Sequence, residues 1–413
     1  MPGVGPTTLF DKSVLQSLTI DESVWFDAFY LPSITPLFFV EVLADLEKEV
    51  QKGLTPEQVV GNLADKSPLG GGVNVHHHRL SIAELFGNKV EMRHSPVIEG
   101  GRSVRTRDGK RAVVFDNSPE QAALSRWQER QFLETERQFA KDWRQAITRI
   151  DLEQLFGIGR EIIRSTQRPK DLVEAKDLAA SMLAKPGARY VATYLQSLES
   201  NGAFRRWDAH GKPPITAYAP YTAHILLVDL FFTIALGADL IGRERPTNRI
   251  DMSYLYYLPF CMVFTSRDKL HQRTAPLFLN ESQVFLHGDE LKSDLRRLDE
   301  YYDQLPDEVK QRGVMSFAHY PPTEGDFLIS KLWDKLMRPG WRETAAQPKE
   351  PRSKEADAKI IAEIDQVTKA PPAPRYYPHD EIEAMVIQRS IPIRRGKWRM
   401  VPPEAEKQGG GNN

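Results

Sequence analysis

Two aspartates stand just after short apolar runs that lie far apart in the chain. Asp11 follows Thr8-Leu9-Phe10, and Asp268 follows Val263-Phe264-Thr265 after two further residues. Each run has the length and the β-branched or aromatic content of a buried strand. Ligands of open α/β sheets bind beyond the carboxyl ends of the strands, so both aspartates are predicted to lie at a ligand-binding edge.

Two further acids occur in helical contexts that bring them toward the same edge. Glu41 lies in a helix that Pro36 is predicted to begin, because the fixed φ of proline suits a first helical turn. Asp251 is predicted to open a short helix ahead of the Asp268 strand. Four clustered carboxylates repel one another unless a cation joins them, and hard divalent cations prefer oxygen ligands. The acids therefore predict a divalent-metal site.

Such a site has the donor types that phosphodiester hydrolysis requires. The reaction develops charge on the attacking and leaving oxygens, and one or two divalent ions stabilise that charge. Ser13 and Ser266 are supporting candidates, able to bind either a metal-bound water or a carboxylate oxygen. The neighbouring cations Lys12, Arg267 and Lys269 either contact substrate phosphate or remain solvated.

The order of these residues resembles that of PIN domains, a family of metal-dependent nucleases. The family begins with a strand ending in an aspartate and followed closely by Ser, Thr or Asn, as Asp11 and Ser13 do here. Its second acid is a glutamate early in a helix, which corresponds to Glu41. Its third acid opens a helix and its fourth closes an apolar–apolar–Thr–x–x–Asp strand, which correspond to Asp251 and Asp268.

The resemblance covers roughly residues 1–50 and 215–290, and it implies both a fold and an activity. The implied fold is α/β, with a Rossmann-type parallel sheet flanked by helices. The implied activity is a metal-dependent endonuclease that uses Mg²⁺ or Mn²⁺ and acts on RNA. Its catalytic residues and metal ligands would be Asp11, Glu41, Asp251 and Asp268. The alternative is a catalytically inactive PIN-fold protein that binds nucleic acid or regulates a partner.

The identity of the third acid is open at this stage. Asp229 stands in a strongly apolar stretch, and a carboxylate buried there needs a metal or a hydrogen-bonding partner. Asp251 is favoured because a helix start offers backbone N–H groups to a negative charge. Each acid taken singly is better explained as a helix cap, a turn residue or a solvated side chain. The order and spacing of all four favour a metal site.

The rest of the chain is predicted to form an inserted unit and a tail. The predicted order is a PIN-like core over 1–50, an insertion over 51–212, the second part of the core over 213–290, closing helices over 291–345 and a largely disordered, proline-rich tail over 346–413. Within the insertion, a β-hairpin is predicted to turn at Asp108-Gly109. A single long helix is predicted over 118–148, because Ser118 to Gln121 has a capping-box pattern.

Basic residues are concentrated in two places. Between His76 and Arg111 there are eight Lys and Arg against four Asp and Glu, and Arg105 and Arg107 of the hairpin are candidates for substrate phosphate contacts. The segment 386–400 contains five Lys and Arg without an acid, which suggests docking onto nucleic acid, onto a partner protein or onto the chain's own body. Three consecutive histidines at 76–78 are not predicted to bind zinc, because neighbours on a strand face opposite ways.

Composition sets the remaining bounds. With 413 residues the chain can bury a full core. A formal net charge of −1 gives no overall electrostatic attraction to nucleic acid. The single cysteine, Cys261, fits a reducing compartment, and the N-terminus carries no signal-peptide pattern, so a cytoplasmic protein is expected. The apolar stretch 224–242 is interrupted by aspartates and is predicted to be a buried helix rather than a membrane span.

Overall fold

The computed structural model describes residues 5–69, 72–98, 101–115, 118–149, 151–198, 202–346, 354–373, 381–387 and 391–403. The strands are β1 (Thr7–Phe10), β2 (Leu31–Ser33), β3 (Gly101–Arg105), β4 (Arg111–Phe115), β5 (Val263–Ser266), β6 (Val284–His287), β7 (Ala384–Ile387), β8 (Arg394–Arg395) and β9 (Trp398–Arg399). The helices are α1 (Lys12–Ser17), α2 (Ile20–Phe29), α3 (Pro36–Val50), α4 (Pro56–Ala64), α5 (His77–Leu85), α6 (Pro119–Gln128), α7 (Glu134–Thr148), α8 (Leu152–Arg164), α9 (Leu172–Leu183), α10 (Arg189–Ser197), α11 (Gly202–Ala209), α12 (Ile215–Tyr218), α13 (Pro220–Gly237), α14 (Asn248–Tyr254), α15 (Lys269–Thr274), α16 (Gly288–Asp303), α17 (Asp307–Gln311), α18 (Val314–Phe317), α19 (Leu328–Leu336), α20 (Trp341–Ala346) and α21 (Lys354–Thr368).

A four-stranded sheet in the order β2-β1-β5-β6 organises the structure, and all its strands are parallel. The α/β class and the parallel sheet predicted from the sequence are therefore confirmed. Strands β1 and β5 are neighbours although more than two hundred positions separate them, and Phe10 pairs with Thr265. This pairing brings the residues that follow both strands to one edge. Both strands are buried along their whole length, as expected for a parallel sheet covered on its two faces.

Two hydrophobic clusters flank this sheet. The first includes α2 and α16, where Trp25 stacks on Tyr302 with ring centroids 4.3 Å apart. The second is built around α13, against which α8 and α9 pack. A Cβ atom at Gly159 of α8 would lie 2.2 Å from the Thr233 carbonyl oxygen of α13, so only glycine permits this close crossing. Helices of the predicted insertion thus share the second cluster with α13.

Helix α13 is the one described helix whose length and composition would allow it to cross a membrane. In the structure 78% of this apolar stretch is buried against other parts of the chain. Such burial is what a core helix shows, as the sequence predicted for this segment.

Two predicted helices differ in the structure. The long helix over 118–148 is divided into α6 and α7, because Arg130 adopts a left-handed φ of 60° and pairs with Asp65 at 2.6 Å. The helix predicted to begin at Asp251 begins instead at Asn248 and ends at Tyr254. The Asp251 N–H already donates to the Thr247 carbonyl oxygen at 3.0 Å, so Asp251 is not a helix cap.

The tail also differs from its prediction wherever the structure describes it. Helix α21 and strand β7 pack on the β3–β4 hairpin, with β7 pairing parallel to β4. The segment 391–403 lies on the core: Arg395 is only 5% exposed and Trp398 only 2%. Composition alone missed this order because a few apolar and charged anchors, rather than a continuous apolar pattern, hold the segment. Residues 347–353, 374–380, 388–390 and 404–413 of the predicted tail lie outside the described residues.

Candidate functional site

Asp11 is the buried centre of a polar cluster at the carboxyl edge of the sheet. Its Oδ1 accepts hydrogen bonds from the Ser13 hydroxyl at 2.7 Å and from the Val14 N–H at 3.0 Å, so it also caps α1. Its Oδ2 accepts from the Ser266 hydroxyl at 2.6 Å. The two serines thus fulfil one of the roles left open by the sequence. Burial alone would raise the pKa of Asp11, but His271 and the two hydroxyls outweigh it and lower the pKa.

Glu41 reaches the same cluster from α3. Its Oε2 accepts hydrogen bonds from the Tyr254 hydroxyl and from the Lys12 N–H, the latter at 3.4 Å. The side chain is half-buried. Burial, together with the charges of Asp11 and Asp251, raises the pKa of Glu41 to about 8. Glu41 therefore tends to hold a proton at neutral pH unless a cation approaches it.

Asp251 and Asp268 complete the group. Asp268 Oδ1 accepts from the Leu270 N–H at 2.6 Å and caps α15. The Asp251 carboxylate takes no hydrogen bond from the described residues, and both side chains are half-buried. Burial and the charges of Asp268 and Asp11 raise the pKa of Asp251 to about 7. The charges of Asp11, Asp251 and Asp268 therefore each contribute to the raised pKa of Glu41 or of Asp251.

His271 belongs to this cluster and was missed at the sequence level. Its Nε2 lies 2.6 Å from the Asp251 carbonyl oxygen, which can only accept a hydrogen bond. Its Nδ1 lies 2.7 Å from the Ser266 hydroxyl, whose single hydrogen goes to Asp11. Both ring nitrogens must then donate, so the ring is an imidazolium.

The electrostatics agree with that geometry. Burial would lower the pKa of His271, but Asp11, whose Oδ2 lies 3.7 Å from Nδ1, and the charge of Asp251 raise it to about 9. The only sequence signal for His271 is its position, three residues after Asp268 on the same short helix. A lone histidine at such a position is too common to have been singled out.

The donor types of this cluster fit a hard divalent cation. Four carboxylates supply oxygen ligands, and three of them are partly open to solvent. Burial and neighbouring carboxylates raise the pKa values of Glu41 and Asp251, although the charge of His271 opposes the rise at Asp251. Within the described ranges, however, no three Asp, Glu, His or Cys side chains already surround one point as metal ligands. The residues fit a metal in type and charge, but they are not arranged in advance around it.

The predicted phosphate contacts have different surroundings. The Lys12 ammonium is paired with Asp45 at 2.7 Å, and Arg267 is paired with Asp289 at 2.8 Å. Lys269 is exposed beside Asp268. A substrate phosphate at this edge would therefore meet Lys269 more readily than Lys12.

Arg105 and Arg107 belong to the β3–β4 hairpin, which is part of a separate sheet. Both side chains are exposed. Other cations of the hairpin are used within the chain: Arg102 donates to the carbonyl oxygens of Thr368 and Ala370 at 2.9 and 3.0 Å, and Arg111 pairs with Glu381. Substrate contact by Arg105 and Arg107 remains a prediction.

Asp229, the competing third acid, has a partner of its own. Its Oδ1 lies 2.8 Å from the Arg249 guanidinium and also accepts a hydrogen bond from the Tyr256 hydroxyl. The sequence predicted that a carboxylate buried here would need a metal or a hydrogen-bonding partner. The structure supplies the hydrogen bond from Tyr256 and an ion pair with Arg249, and no other acid takes part in these contacts. Arg249 and Asp251 are two positions apart on α14, so they point to different sides of that helix.

The three consecutive histidines and the basic segment 386–400 also have local explanations. His76 caps α5, and burial followed by the charges of its neighbours lowers the pKa of His77 to about 3. Of the basic segment 386–400, Arg389 lies outside the described residues, and Arg395 donates to the Ser67 carbonyl oxygen at 2.8 Å. The segment therefore docks, at least in part, onto the chain itself.

Comparisons of the chain with protein-family models, with curated proteins and with solved structures gave no match.

Proposed function

We propose that the chain is a PIN-like, metal-dependent endonuclease that cleaves phosphodiester bonds, with RNA as its substrate. The observation that carries the proposal is the clustering of four carboxylates at one sheet edge. There, burial with the charges of Asp11 and Asp251 raises the pKa of Glu41, and burial with the charges of Asp268 and Asp11 raises the pKa of Asp251. Structural acids are normally matched by cations or hydrogen-bond donors. An excess of carboxylate charge at the carboxyl edge of a parallel sheet is typical of a ligand site instead.

The four acids would hold Mg²⁺ or Mn²⁺, with Ser13 and Ser266 orienting Asp11 between them. When bound, a divalent cation would stabilise the charge that develops on the phosphate oxygens. The chain's own contribution is orientation. The hydroxyls fix Asp11, Tyr254 fixes Glu41, and His271 joins the Asp251 backbone to Ser266. Lys269 is the candidate for contact with substrate phosphate.

A second candidate function is an inactive protein that keeps this fold and binds nucleic acid or regulates a partner. It is favoured by one observation: His271, Tyr254 and the serines already satisfy much of the polar cluster without a metal. In such a protein the imidazolium of His271 would serve as the permanent counter-charge of Asp11. The two candidates differ in whether a divalent cation changes the behaviour of the chain.

The test is incubation of the purified chain with end-labelled RNA and DNA in Mn²⁺, in Mg²⁺ or in chelator. The proposal expects cleavage that requires the metal and is lost in Asp268→Asn. The matched control is Asp177→Asn, which removes the same charge from an exposed position on α9 and should cleave normally. Absence of cleavage under all metal conditions, or equal cleavage by Asp268→Asn, would favour the inactive protein or another chemistry.

A further inference from the structure

Positive charge is concentrated on a surface beside the acid cluster, where α15 meets the end of α13 and helix α8. Segments 153–168, 239–245 and 269–273 contain seven Lys and Arg and four Asp and Glu, so seven minus four leaves a local excess of three positive charges. The whole chain, by contrast, has a formal net charge of −1. We call this region the basic surface, and its exposed or half-buried cations are Arg160, Arg168, Arg243, Arg245, Lys269 and Arg273.

The backbone turn that follows α13 joins the two sides of the basic surface. Arg273 of α15 donates to the Leu240 carbonyl oxygen at 3.0 Å, and Arg168, which follows α8, donates to the Ala238 carbonyl oxygen at 2.8 Å. The Asp239 carboxylate pairs with Arg168 at 3.2 Å. Arginines from two separate parts of the chain thus meet on the same turn.

Helix α8 extends the basic surface away from this turn. Arg160 pairs with the Asp239 carboxylate at 2.9 Å, and its guanidinium carbon lies 5.0 Å from the centroid of the half-buried Phe156 ring. Arg243 pairs with Glu153 at 2.9 Å, and its guanidinium carbon lies 4.0 Å from the same centroid. Aromatic rings and guanidinium planes are the two kinds of group on which unpaired nucleic-acid bases stack.

The arginines in these contacts keep most of their hydrogen-bonding capacity. Each donates through a single terminal nitrogen within the described residues: Nη1 in Arg243 and Nη2 in Arg160, Arg168 and Arg273. A guanidinium carries several further N–H donors, which remain for a ligand. The paired acids are exposed, and exposed ion pairs contribute little to stability and are screened by salt. The pairs therefore hold the arginines in place without occupying them fully.

Helix α15 connects the basic surface to the acid cluster. Asp268 caps the start of this helix, Lys269 follows it, and Arg273 lies in the last turn. Arg273 is therefore only about 8 Å along the helix from Asp268. From the segment before α14, Arg245 lies near enough to Asp251 for its charge to oppose the rise in pKa that burial causes there. A phosphodiester bound at the acids would place its neighbouring phosphates beside these cations.

We propose that the basic surface binds the phosphate backbone of single-stranded RNA and leads it to the acid cluster. This inference rests on the proposed function, whose substrate it positions. Six of the seven cations in these segments are arginines, and the guanidinium fork matches phosphate oxygens in a way that an ammonium group does not. Since Arg160 and Arg168 belong to the predicted insertion, that unit would supply part of the substrate-binding surface.

The test measures binding of a fluorescently labelled single-stranded RNA to the full chain by anisotropy, in chelator and over a series of salt concentrations. Arg160→Gln and Arg168→Gln should each weaken binding and reduce the slope of log K against log salt by about 0.7, the value for one phosphate contact on a single strand. The matched control is Arg342→Gln on α20, at the first hydrophobic cluster. It removes an arginine paired with Asp334 at 2.8 Å and should bind RNA as wild type does.

Asp239→Asn distinguishes phosphate binding from a purely structural role of the arginines. Asp239 has a left-handed φ of 61°, a conformation that asparagine also tolerates, so the turn should persist. Loss of the competing carboxylate should tighten RNA binding about 2- to 5-fold at low salt, the range that corresponds to a surface ion pair. Binding no tighter than that of wild type would assign Arg160 and Arg168 to the turn alone.

Three further results would overturn the inference. One is an absence of RNA binding in chelator, and another is equal binding by wild type, Arg160→Gln and Arg168→Gln. The third is binding to phosphatidylserine vesicles that requires the same arginines, without binding to RNA, which would make the surface a membrane contact. If wild type still cleaves RNA in Mn²⁺, these results remove the basic surface and leave the nuclease. RNA binding that requires the arginines, without cleavage in any metal, would support the surface and remove the nuclease.

Discussion

Helix α14 separates two polar clusters in which the negative charge of carboxylates is balanced in different ways. On one side, Asp229 is matched by Arg249 and Tyr256. On the other, Asp251 lies with Glu41, Asp11 and Asp268, where His271 contributes a buried positive charge and the buried Lys12 ammonium is paired with Asp45 instead. The Asp229–Arg249 pair does not indicate a ligand site, because each charge balances the other. An unmatched group requires protons or an external cation, and this is why only the second cluster indicates a site.

The largest effect is expected from the loss of Asp268. Asp268→Asn should reduce metal-dependent cleavage by at least about 100-fold, because the loss of a ligand exceeds the 10- to 100-fold cost of changing a group that only orients one. The fold should persist, since asparagine can also cap α15. Melting temperature should be unchanged or higher, because one repelling charge is removed. Full metal-dependent activity in this variant would remove Asp268 from the site.

The next largest effect concerns the two candidates for the third acid. Asp251→Asn should eliminate cleavage at an unchanged or higher Tm. Asp229→Asn should cleave normally but lose about 2 kcal/mol of stability, because Arg249 is left partly buried without its counter-charge. Cleavage rates and denaturant unfolding of both variants are the measurements. Loss of activity in Asp229→Asn at wild-type stability, together with normal cleavage by Asp251→Asn, would reverse the assignment.

Substitution of His271 tests whether it acts as a positioning residue in the second cluster. Gln at this position can still donate to the Asp251 carbonyl oxygen, whereas Asn can donate only toward Ser266. If both contacts matter, each variant should lower kcat about 10- to 100-fold with little change in KM. Both should also weaken Mn²⁺ binding less than Asp251→Asn does. Wild-type kcat in both variants would show that His271 only fills space.

The smallest effect is a pH dependence of stability in chelator. Glu41 has its pKa raised to about 8, so the folded state keeps a proton that the unfolded state loses above about pH 4.5. Stability from this group is present at low pH and is lost as the pH rises toward 8. Glu41→Gln removes that loss, so the Tm of the variant should gain on wild type between about pH 5 and 8. A constant Tm difference across this range would contradict the raised pKa.

The sequence predicted the parts of this architecture that depend on local pattern. Buried β-branched runs indicated β1 and β5, Pro36 marked the start of α3, and Asp108-Gly109 indicated the hairpin turn. The placement of Asp11 and Asp268 after strands predicted that both lie at a ligand-binding edge. The pairing of β1 with β5 was not specified, because nothing local encodes a pairing over that distance. The four acids were named by their place after strands and in helices, and the effect of Asp11, Asp251 and Asp268 on the pKa of Glu41 or of Asp251 supports that grouping.

Three features depended on tertiary contacts and were not predictable from pattern. The break before α7 depends on Arg130 reaching Asp65. The docking of 391–403 depends on a few buried anchors, such as Trp398 against Trp25. The role of His271 depends on hydrogen bonds to two elements that carry acids. Each involves partners distant in sequence, which periodicity and capping rules do not contain.

Calorimetric titration of the full chain with Mn²⁺ at pH 6 and pH 8 measures whether the unmatched acids bind a divalent cation. We expect tighter binding at pH 8, since protons on Glu41 and Asp251 compete with the metal at pH 6. Asp251→Asn should abolish this binding and Asp229→Asn should preserve it. An absence of binding at both pH values, or equal binding by wild type and Asp251→Asn, would show that these acids do not form a metal site.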